Sequence, residues 1–288
     1  MPKKKQTKPK LKQPKPAKLP NSWSLLKKTW LEYSTFWKPL IGVSAVYGVL
    51  YFVLVMGLSF SMTLQDTFLD VSGRLGDALT SVFSTFSTSS LAGGTSSDMT
   101  ILVQFLLFLV ASMAFIWTLR KLQALKKIKL RDAYYKGTSS LIATTIVSVI
   151  LVATLLPLLG ASSIVSAALQ AGSHGTEMLI VSLIAGVLLL LAAYLFAMYW
   201  PAFYIISLPN TRPFQALKSA LKITKKRRLS IIRKMLLITI LMFVVILTVL
   251  IPVAMLLPSI VQVVSFILLF LIFGFVHTYL YTLYRSML

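Results

Sequence analysis

The chain of 288 residues contains no cysteine, which excludes disulfides, thiol catalysis and thiolate metal sites. Charged residues are also scarce, because they make up 12% of the sequence, roughly half the fraction found in soluble domains. Apolar types reach 57%, and the mean hydropathy is +0.83. A water-soluble core could not bury that much apolar surface, so the composition indicates an integral membrane protein.

The sequence also lacks the short motifs that carry enzyme chemistry. No G-x-S-x-G, H-E-x-x-H, P-loop or G-x-G-x-x-G pattern occurs. His174 and His277 are the only histidines, and neither has an obvious acidic partner in an apolar span. His174 and Glu177 lie three residues apart, but two side chains alone do not make a metal site. We therefore expect no catalytic residue, no metal site and no cofactor, and the chain is predicted not to be an enzyme.

The segment 61–99 is polar enough to interrupt the apolar runs, yet its apolar residues recur at intervals of three and four, which is typical of an amphipathic helix. Asp66, Asp70 and Asp77 lie off that apolar stripe. Carboxylates one turn apart could suggest a cation site, but such spacing is more often a solvated helix face. We interpret the segment as an amphipathic helix at the outer membrane interface or across the end of the bundle.

Long apolar runs predict six spans of about 20 residues each. The last two spans belong to one run, from Met235 to Val276, that contains no charged residue. As a single helix, this run would be roughly 63 Å long, about twice the thickness of a bilayer core. It must therefore fold back, and Pro252 and Pro258 bracket the place. The predicted spans are 40–60, 100–119, 139–160, 178–200, 235–257 and 259–283.

Lysine and arginine alternate between the connecting segments in a way that predicts orientation. Eleven precede the first span, seven lie in 120–138, nine lie in 201–234 and one follows the last span. The segment 61–99 holds one, and 161–177 holds none. Because basic residues favour cytoplasmic loops, the pattern predicts an all-α, six-span bundle in the plasma (inner) membrane with both termini in the cytoplasm.

Residues 1–20 consist mainly of Lys, Pro and Gln, which predicts a disordered cytoplasmic tail ahead of a membrane domain over 21–288. One interpretation is a solvated tail that assists topology. The other is a tether for RNA, ribosomes or anionic lipid. Nucleic acid is therefore expected to bind through this tail or not at all, while protein partners and self-association stay open.

The stretch QALKSALKITKKRR at 215–228 predicts a basic amphipathic helix that begins near Pro213. Its apolar face is expected to run from Phe214 to Thr224. Its basic residues are predicted to contact anionic lipid at the cytoplasmic face, where each contributes roughly 1 kcal/mol. These residues are Lys218, Lys222, Lys225, Lys226, Arg227 and Arg228.

Three short words resemble one another: SLLKK at 24–28, QALKK at 123–127 and QALKS at 215–219. An apolar span, or the helix that becomes one, begins about 16 residues after each word begins. The pattern indicates three copies of a basic lead-in followed by a two-span hairpin. Short Leu/Lys words also recur by chance in such sequences, so both interpretations stay open.

Few polar side chains fall inside the predicted spans. Gln104 and Gln262 are expected to make hydrogen bonds between helices. His277 is expected to be an interfacial residue that snorkels or bonds to its own helix, and a proton relay is the alternative.

The segment YWPAFYIISLPNTRPFQALKSALKITKKRR, a following double span and YLYTLYRSML together resemble a known arrangement. They are similar to the six-span membrane domain fused to some glycerophosphodiester phosphodiesterases and to the related YciC-like bacterial inner-membrane proteins. In those proteins an A-L-K-x-S-x-x-L type helix leads into a late span, and Ala216, Leu217, Lys218, Ser219 and Lys222 match that sense. The resemblance implies an all-α polytopic protein. It brings no catalytic residue, because the phosphodiesterase domain and its metal-binding side chains have no counterpart here.

Three functional hypotheses follow. The first is a non-enzymatic inner-membrane protein that organises the envelope, lipids or partner proteins. Its basis is that the predicted spans contain few polar side chains and the predicted cytoplasmic face is basic. The second is a transporter or permease subunit, which needs a polar path through the bundle. The third is a membrane tether that acts through the basic N-terminal tail.

Overall fold

A computed structural model describes residues 19–56, 98–124, 128–172, 175–208, 211–225, 227–257 and 260–288. This part of the chain contains no β-strand, and six of its helical segments are long and apolar enough to cross a membrane. The prediction of an all-α, six-span protein is therefore confirmed. The amphipathic helix expected within 61–99 lies almost entirely outside the described residues, and so do the acidic side chains of that segment.

The described chain forms eleven α-helices. A π-helical turn, Phe52–Met56, extends the second helix, and a 3₁₀ turn, Thr138–Ser140, joins the fourth and fifth. In chain order the helices are α1 (Ser22–Thr35), α2 (Trp37–Tyr51), α3 (Asp98–Gln123), α4 (Leu130–Gly137), α5 (Leu141–Ala153), α6 (Leu156–Gln170), α7 (Thr176–Tyr199), α8 (Pro201–Ile205), α9 (Pro213–Thr224), α10 (Arg228–Leu256) and α11 (Val261–Arg285).

The six candidate spans agree in number and order with the predicted ones, but their limits differ. Most are longer than predicted at the end where the basic residues lie, because helices there continue past the apolar run. The spans are Trp37–Val55, Leu102–Gln123, Leu130–Gln170, Thr176–Ile205, Arg228–Leu256 and Val261–Arg285.

The third span shows the largest departure from the prediction. The segment 161–177, expected to be a loop, is helical as far as Gln170. Its small and apolar residues contain no helix breaker until Gly172, whose φ of 68° is a left-handed conformation that favours glycine. The helix is interrupted earlier, between α5 and α6, where Pro157 lies in the first turn of α6.

The last two spans form the expected hairpin, and α10 and α11 pack on each other. Pro252 does not mark the turn, because α10 continues through it to Leu256. A proline removes one backbone donor, which a long membrane helix with its other hydrogen bonds intact tolerates. The reversal therefore lies between Leu256 and Val261, close to the predicted boundary between the spans 235–257 and 259–283.

Short helices precede the first and fifth spans, α1 and α9, and a third short helix, α4, forms the beginning of the third span. The words at 24–28 and 215–219 fall inside α1 and α9, as the repeat requires. The word at 123–127 does not fall inside α4, because its first residue ends α3 and residues 125–127 lie outside the described chain. A common layout of lead-in helix and hairpin is present, but a threefold duplication stays a prediction.

The core of the bundle surrounds the second half of α11, which packs against α1, α2, α3, α8 and α10. Nearly every side chain from Gly274 to Tyr284 is buried. Gly274 lets neighbouring helices approach closely, since a Cβ there would lie 3.1 Å from the Phe115 ring and 3.2 Å from Ser44 Oγ. Aromatic rings fill the surrounding space, and Phe275 lies against both Trp30 and Tyr33 of α1.

The hairpin of α6 and α7 lies at the periphery, because α6 packs chiefly on α7. Most leucines of α7 are exposed, and Leu190 is 68% accessible. Such an apolar surface suits contact with lipid hydrocarbon, which agrees with the composition of a membrane protein.

Candidate functional site: the basic end of the bundle

One end of the bundle gathers the described basic residues. Hydrogen bonds join the helix termini there: Arg120 of α3 bonds to Ser207 after α8, and Arg285 of α11 bonds to Gln123 of α3. Every described lysine and arginine lies in the segments that begin, end or connect spans at this end. The acids Asp98 and Glu177 lie in the first turns of α3 and α7, at the opposite end.

The six basic residues predicted to contact lipid at 218–228, which we call the basic collar, lie in α9 and in the segment that follows it. The helix α9 begins at Pro213 as expected. Ala216, Leu217 and Ala220 are buried against the bundle, whereas Lys218 and Lys222 are exposed on the other side. The helix therefore separates an apolar face from a basic face.

The expected apolar face was wrong at one residue, because Phe214 is 76% exposed. It lies in the first turn of α9 and points away from the buried stripe. An exposed phenylalanine beside a basic face is a natural membrane contact.

The remaining collar residues have different surroundings. Lys225 is exposed just after α9, Arg227 is half-buried, and Lys226 lies outside the described residues. Arg228 donates a hydrogen bond to the Tyr194 hydroxyl, and its guanidinium lies 5.0 Å from the centre of the same ring. Arg228 is therefore held by α7 and is less available to a lipid headgroup than Lys218 or Lys222.

Glu32 of α1, which was not predicted as a site residue, accepts hydrogen bonds from two other helices at this end. Its Oε2 accepts hydrogen bonds from the Thr282 hydroxyl at 2.9 Å and from Gln123 Nε2 at 3.3 Å. One carboxylate thus connects α1, α3 and α11. The sequence does single out Glu32 in one respect, because it is the only acidic residue among the first 65.

Lys234 of α10 is a second residue that sequence reasoning missed. It is 1% exposed, and its Nζ donates a hydrogen bond to the Pro20 carbonyl at 2.6 Å. Its own carbonyl accepts a bond from the Tyr279 hydroxyl at 3.1 Å. The sequence shows only a lysine beside an apolar run, so nothing in it distinguishes Lys234 from the exposed Arg233.

His277 is neither snorkelling nor bonded to its own helix, so that expectation was wrong. The ring is 7% exposed, with Nε2 3.2 Å from Ser112 Oγ and Nδ1 3.4 Å from Tyr204 Oη. Phe115 stacks on it at 5.9 Å, and Phe273 lies edge-on at 4.5 Å. The imidazole therefore links α3, α8 and α11 inside an aromatic enclosure.

The two glutamines differ. Gln104 Nε2 lies 3.4 Å from the Tyr51 hydroxyl, a weak contact between α3 and α2. Gln262 is exposed near the start of α11 and bridges to no other helix among the described residues. Its expected interhelical hydrogen bond is absent there because the side chain faces outward.

The described residues contain no group of three or more His, Asp or Glu side chains that could hold a metal ion. Glu177 is exposed at the start of α7, and His174 lies outside the described residues.

Comparison with protein-family models, with curated proteins and with solved structures gives no match to this chain. The resemblance to YciC-like membrane proteins therefore stays a prediction.

Proposed function

We propose that the chain is a non-enzymatic protein of the inner membrane that gathers anionic lipid at its basic end and so organises lipids or partner proteins there. The two-sided character of α9 carries the proposal. Ala216, Leu217 and Ala220 fix the helix to the bundle, while Lys218 and Lys222 remain exposed. An amphipathic helix held in this way presents its cations at the level of the lipid headgroups.

The charge imbalance at this end supports an anionic partner. Glu32 and Asp132 are the only acids described there. Lys136–Asp132, at 3.4 Å, is the one ion pair within the described residues. The remaining cations therefore have no carboxylate of their own chain in salt-bridge range in the described structure. These cations lie where the six apolar spans begin or end. Anionic lipid headgroups at that level are therefore the nearest groups that could neutralise their charge.

The polar groups within the spans favour an organising role over transport. Ser112 and Tyr204 each form a hydrogen bond with His277, and phenylalanine rings enclose the histidine. Transporter sites instead use broken helices and ionisable groups that face a watery path.

The proposal is tested by the lipid that accompanies the purified protein. The protein is extracted into polymer-bounded nanodiscs from membranes that contain phosphatidylglycerol and phosphatidylethanolamine, and the ratio of the two lipids is compared with that of the bulk membrane. The triple variant Lys218→Gln, Lys222→Gln and Lys225→Gln is expected to lower the enrichment of phosphatidylglycerol severalfold, since each cation contributes about 1 kcal/mol. The matched variant with arginine at the same three positions should retain it.

Equal enrichment in the glutamine and wild-type proteins would contradict the lipid role. Turnover of lipid by the pure protein, or directional solute flux into liposomes, would replace the proposal with an enzyme or a transporter respectively.

A further inference from the structure

An open groove of about 610 Å³ runs along the outside of the bundle, between the first turn of α1 and one face of α10. The α10 residues that line this groove recur every three or four positions, so they form one continuous stripe along the helix. The groove is lined by Asn21, Ser22, Trp23, Leu26, Arg233, Leu236, Leu237, Ile240, Leu241 and Val244.

The length of this stripe matches one leaflet of a bilayer. From Arg233 to Val244 the helix rises roughly 16 Å at 1.5 Å per residue. Half of a bilayer core is about 15 Å thick. Every α10 residue that lines the groove beyond Arg233 is apolar. An acyl chain whose headgroup lies beside Arg233 would therefore follow the groove to about the middle of the membrane.

The mouth of the groove is cationic. Arg233 is exposed and has no ion-pair partner among the described residues. The ammonium group of Lys234 lies buried nearby, bound to the Pro20 carbonyl, which directly precedes the groove residue Asn21. Trp23 is 70% exposed, as is typical of an indole at the headgroup level. Positive charge above an apolar channel complements a lipid that carries a negative headgroup.

We propose that this groove is a discrete binding site for one anionic phospholipid, with its phosphate-bearing headgroup at Arg233 and one acyl chain along α10. The basic tail of the chain itself does not suit the groove, because residues 1–18 contain eight lysines and no acid. A second copy of the chain suits it poorly as well, since its basic end would bring like charge to Arg233. The site goes beyond the collar on α9, because it lies on different helices and holds an acyl chain as well as a headgroup.

Photo-crosslinking tests the site in the full-length protein. Phosphatidylglycerol and phosphatidylcholine that carry the same diazirine acyl chain are incorporated into nanodiscs with the protein, and labelled peptides are mapped by mass spectrometry. Phosphatidylglycerol is expected to label the segment 236–244 about fivefold more than phosphatidylcholine does, since one cation near the headgroup supplies roughly that preference.

Two variants separate the headgroup from the chain. Arg233→Gln should reduce labelling by phosphatidylglycerol to the phosphatidylcholine level, whereas Arg212→Gln, at an exposed arginine outside the groove, should not. Ile240→Trp should lower labelling by both lipids because it fills the channel at a side chain that is 60% exposed. Leu190→Trp on α7 is the matched control for an added indole on the lipid-facing surface.

Equal labelling by the two lipids, or unchanged labelling in Arg233→Gln, would overturn the site. Crosslinks between protein chains at 236–244 would replace the lipid with a second copy. The glutamine triple variant of the α9 collar should leave groove labelling intact, and an equal loss there would reduce the groove to part of a diffuse basic surface. Intact groove labelling with unchanged phosphatidylglycerol enrichment in the triple variant would leave this site standing without the proposed function. Lost enrichment in the triple variant with equal groove labelling by the two lipids would leave the proposed function standing without this site.

Discussion

Lys234 Nζ donates a hydrogen bond to the Pro20 carbonyl at 2.6 Å, which joins the start of the fifth span to the residue just before the N-cap of α1. The two residues are 214 positions apart in sequence. The side chain is buried and lies in range of no carboxylate among the described residues. A buried ammonium in this position contributes through the segment it holds rather than through an ion pair.

Lys234→Met is therefore expected to release the beginning of α1 without unfolding the bundle. The variant loses one hydrogen bond but also removes the desolvation cost of the ammonium, so the free energy of unfolding should change by less than about 1.5 kcal/mol. Amides in 19–30 should exchange with deuterium about tenfold faster, as measured by mass spectrometry. Arg233→Gln, next to it and exposed, should leave their exchange unchanged. Equal protection in Lys234→Met and wild type would contradict this role.

His277→Ala is expected to lower the free energy of unfolding by about 2–4 kcal/mol, measured by denaturant titration in mixed micelles. The change leaves a cavity among aromatic rings and leaves the Ser112 and Tyr204 hydroxyls buried with one partner fewer. Ser112→Ala removes one hydrogen bond and little volume, so it should cost about 1 kcal/mol or less. Equal losses in the two variants would indicate that the imidazole does not link the three helices.

Gly137→Ala tests the close approach of α4 to α3. A Cβ at Gly137 would lie 3.1 Å from the Cα of Ala114, a backbone atom that cannot rotate away. We expect a loss of about 1–3 kcal/mol in the free energy of unfolding, measured in the same titration. Gly186→Ala is the control, because no atom lies within 4 Å of the added Cβ. A Gly137→Ala protein as stable as the Gly186→Ala protein would refute the packing of these two helices.

Glu32→Ala should cost about 1–2 kcal/mol of unfolding free energy, because Thr282 and Gln123 both donate to this carboxylate. Glu32→Gln retains an acceptor oxygen and should recover more than half of that loss. Thermal melting of both variants, with Glu177→Ala as a control for an exposed acid at the other end, measures the difference. Identical melting temperatures for Glu32→Ala and wild type would show that the Glu32 carboxylate does not stabilise the contact between α1, α3 and α11.

The six spans could be predicted from the sequence because each apolar run long enough to cross a bilayer must form a membrane helix. Where the chain turns was harder to predict. The segment 161–170 has neither charge nor a helix breaker, so its composition fits a loop and a helix equally well. Pro252 is a helix breaker by residue type, yet it lies inside α10, since a long membrane helix tolerates one missing donor.

Some residues of the basic end could also be predicted from the sequence, and others could not. Lys218 and Lys222 were predictable, since amphipathic spacing places them on one face of a helix. The environments of His277, Lys234 and Glu32 were not, because each depends on a partner 73 to 250 residues away. Hydrophobic patterns indicate which face of a helix is buried, but not which polar groups meet inside the bundle.

The central claim is that the basic end faces the cytoplasmic leaflet, and the absence of cysteine makes its test direct. Single cysteines at Lys28→Cys, Lys218→Cys and Ala171→Cys are labelled with a membrane-impermeant maleimide in intact spheroplasts and again after permeabilisation. We expect Ala171→Cys to be labelled in both conditions, whereas Lys28→Cys and Lys218→Cys should be labelled only after permeabilisation. Labelling of Lys28→Cys or Lys218→Cys in intact spheroplasts would contradict it.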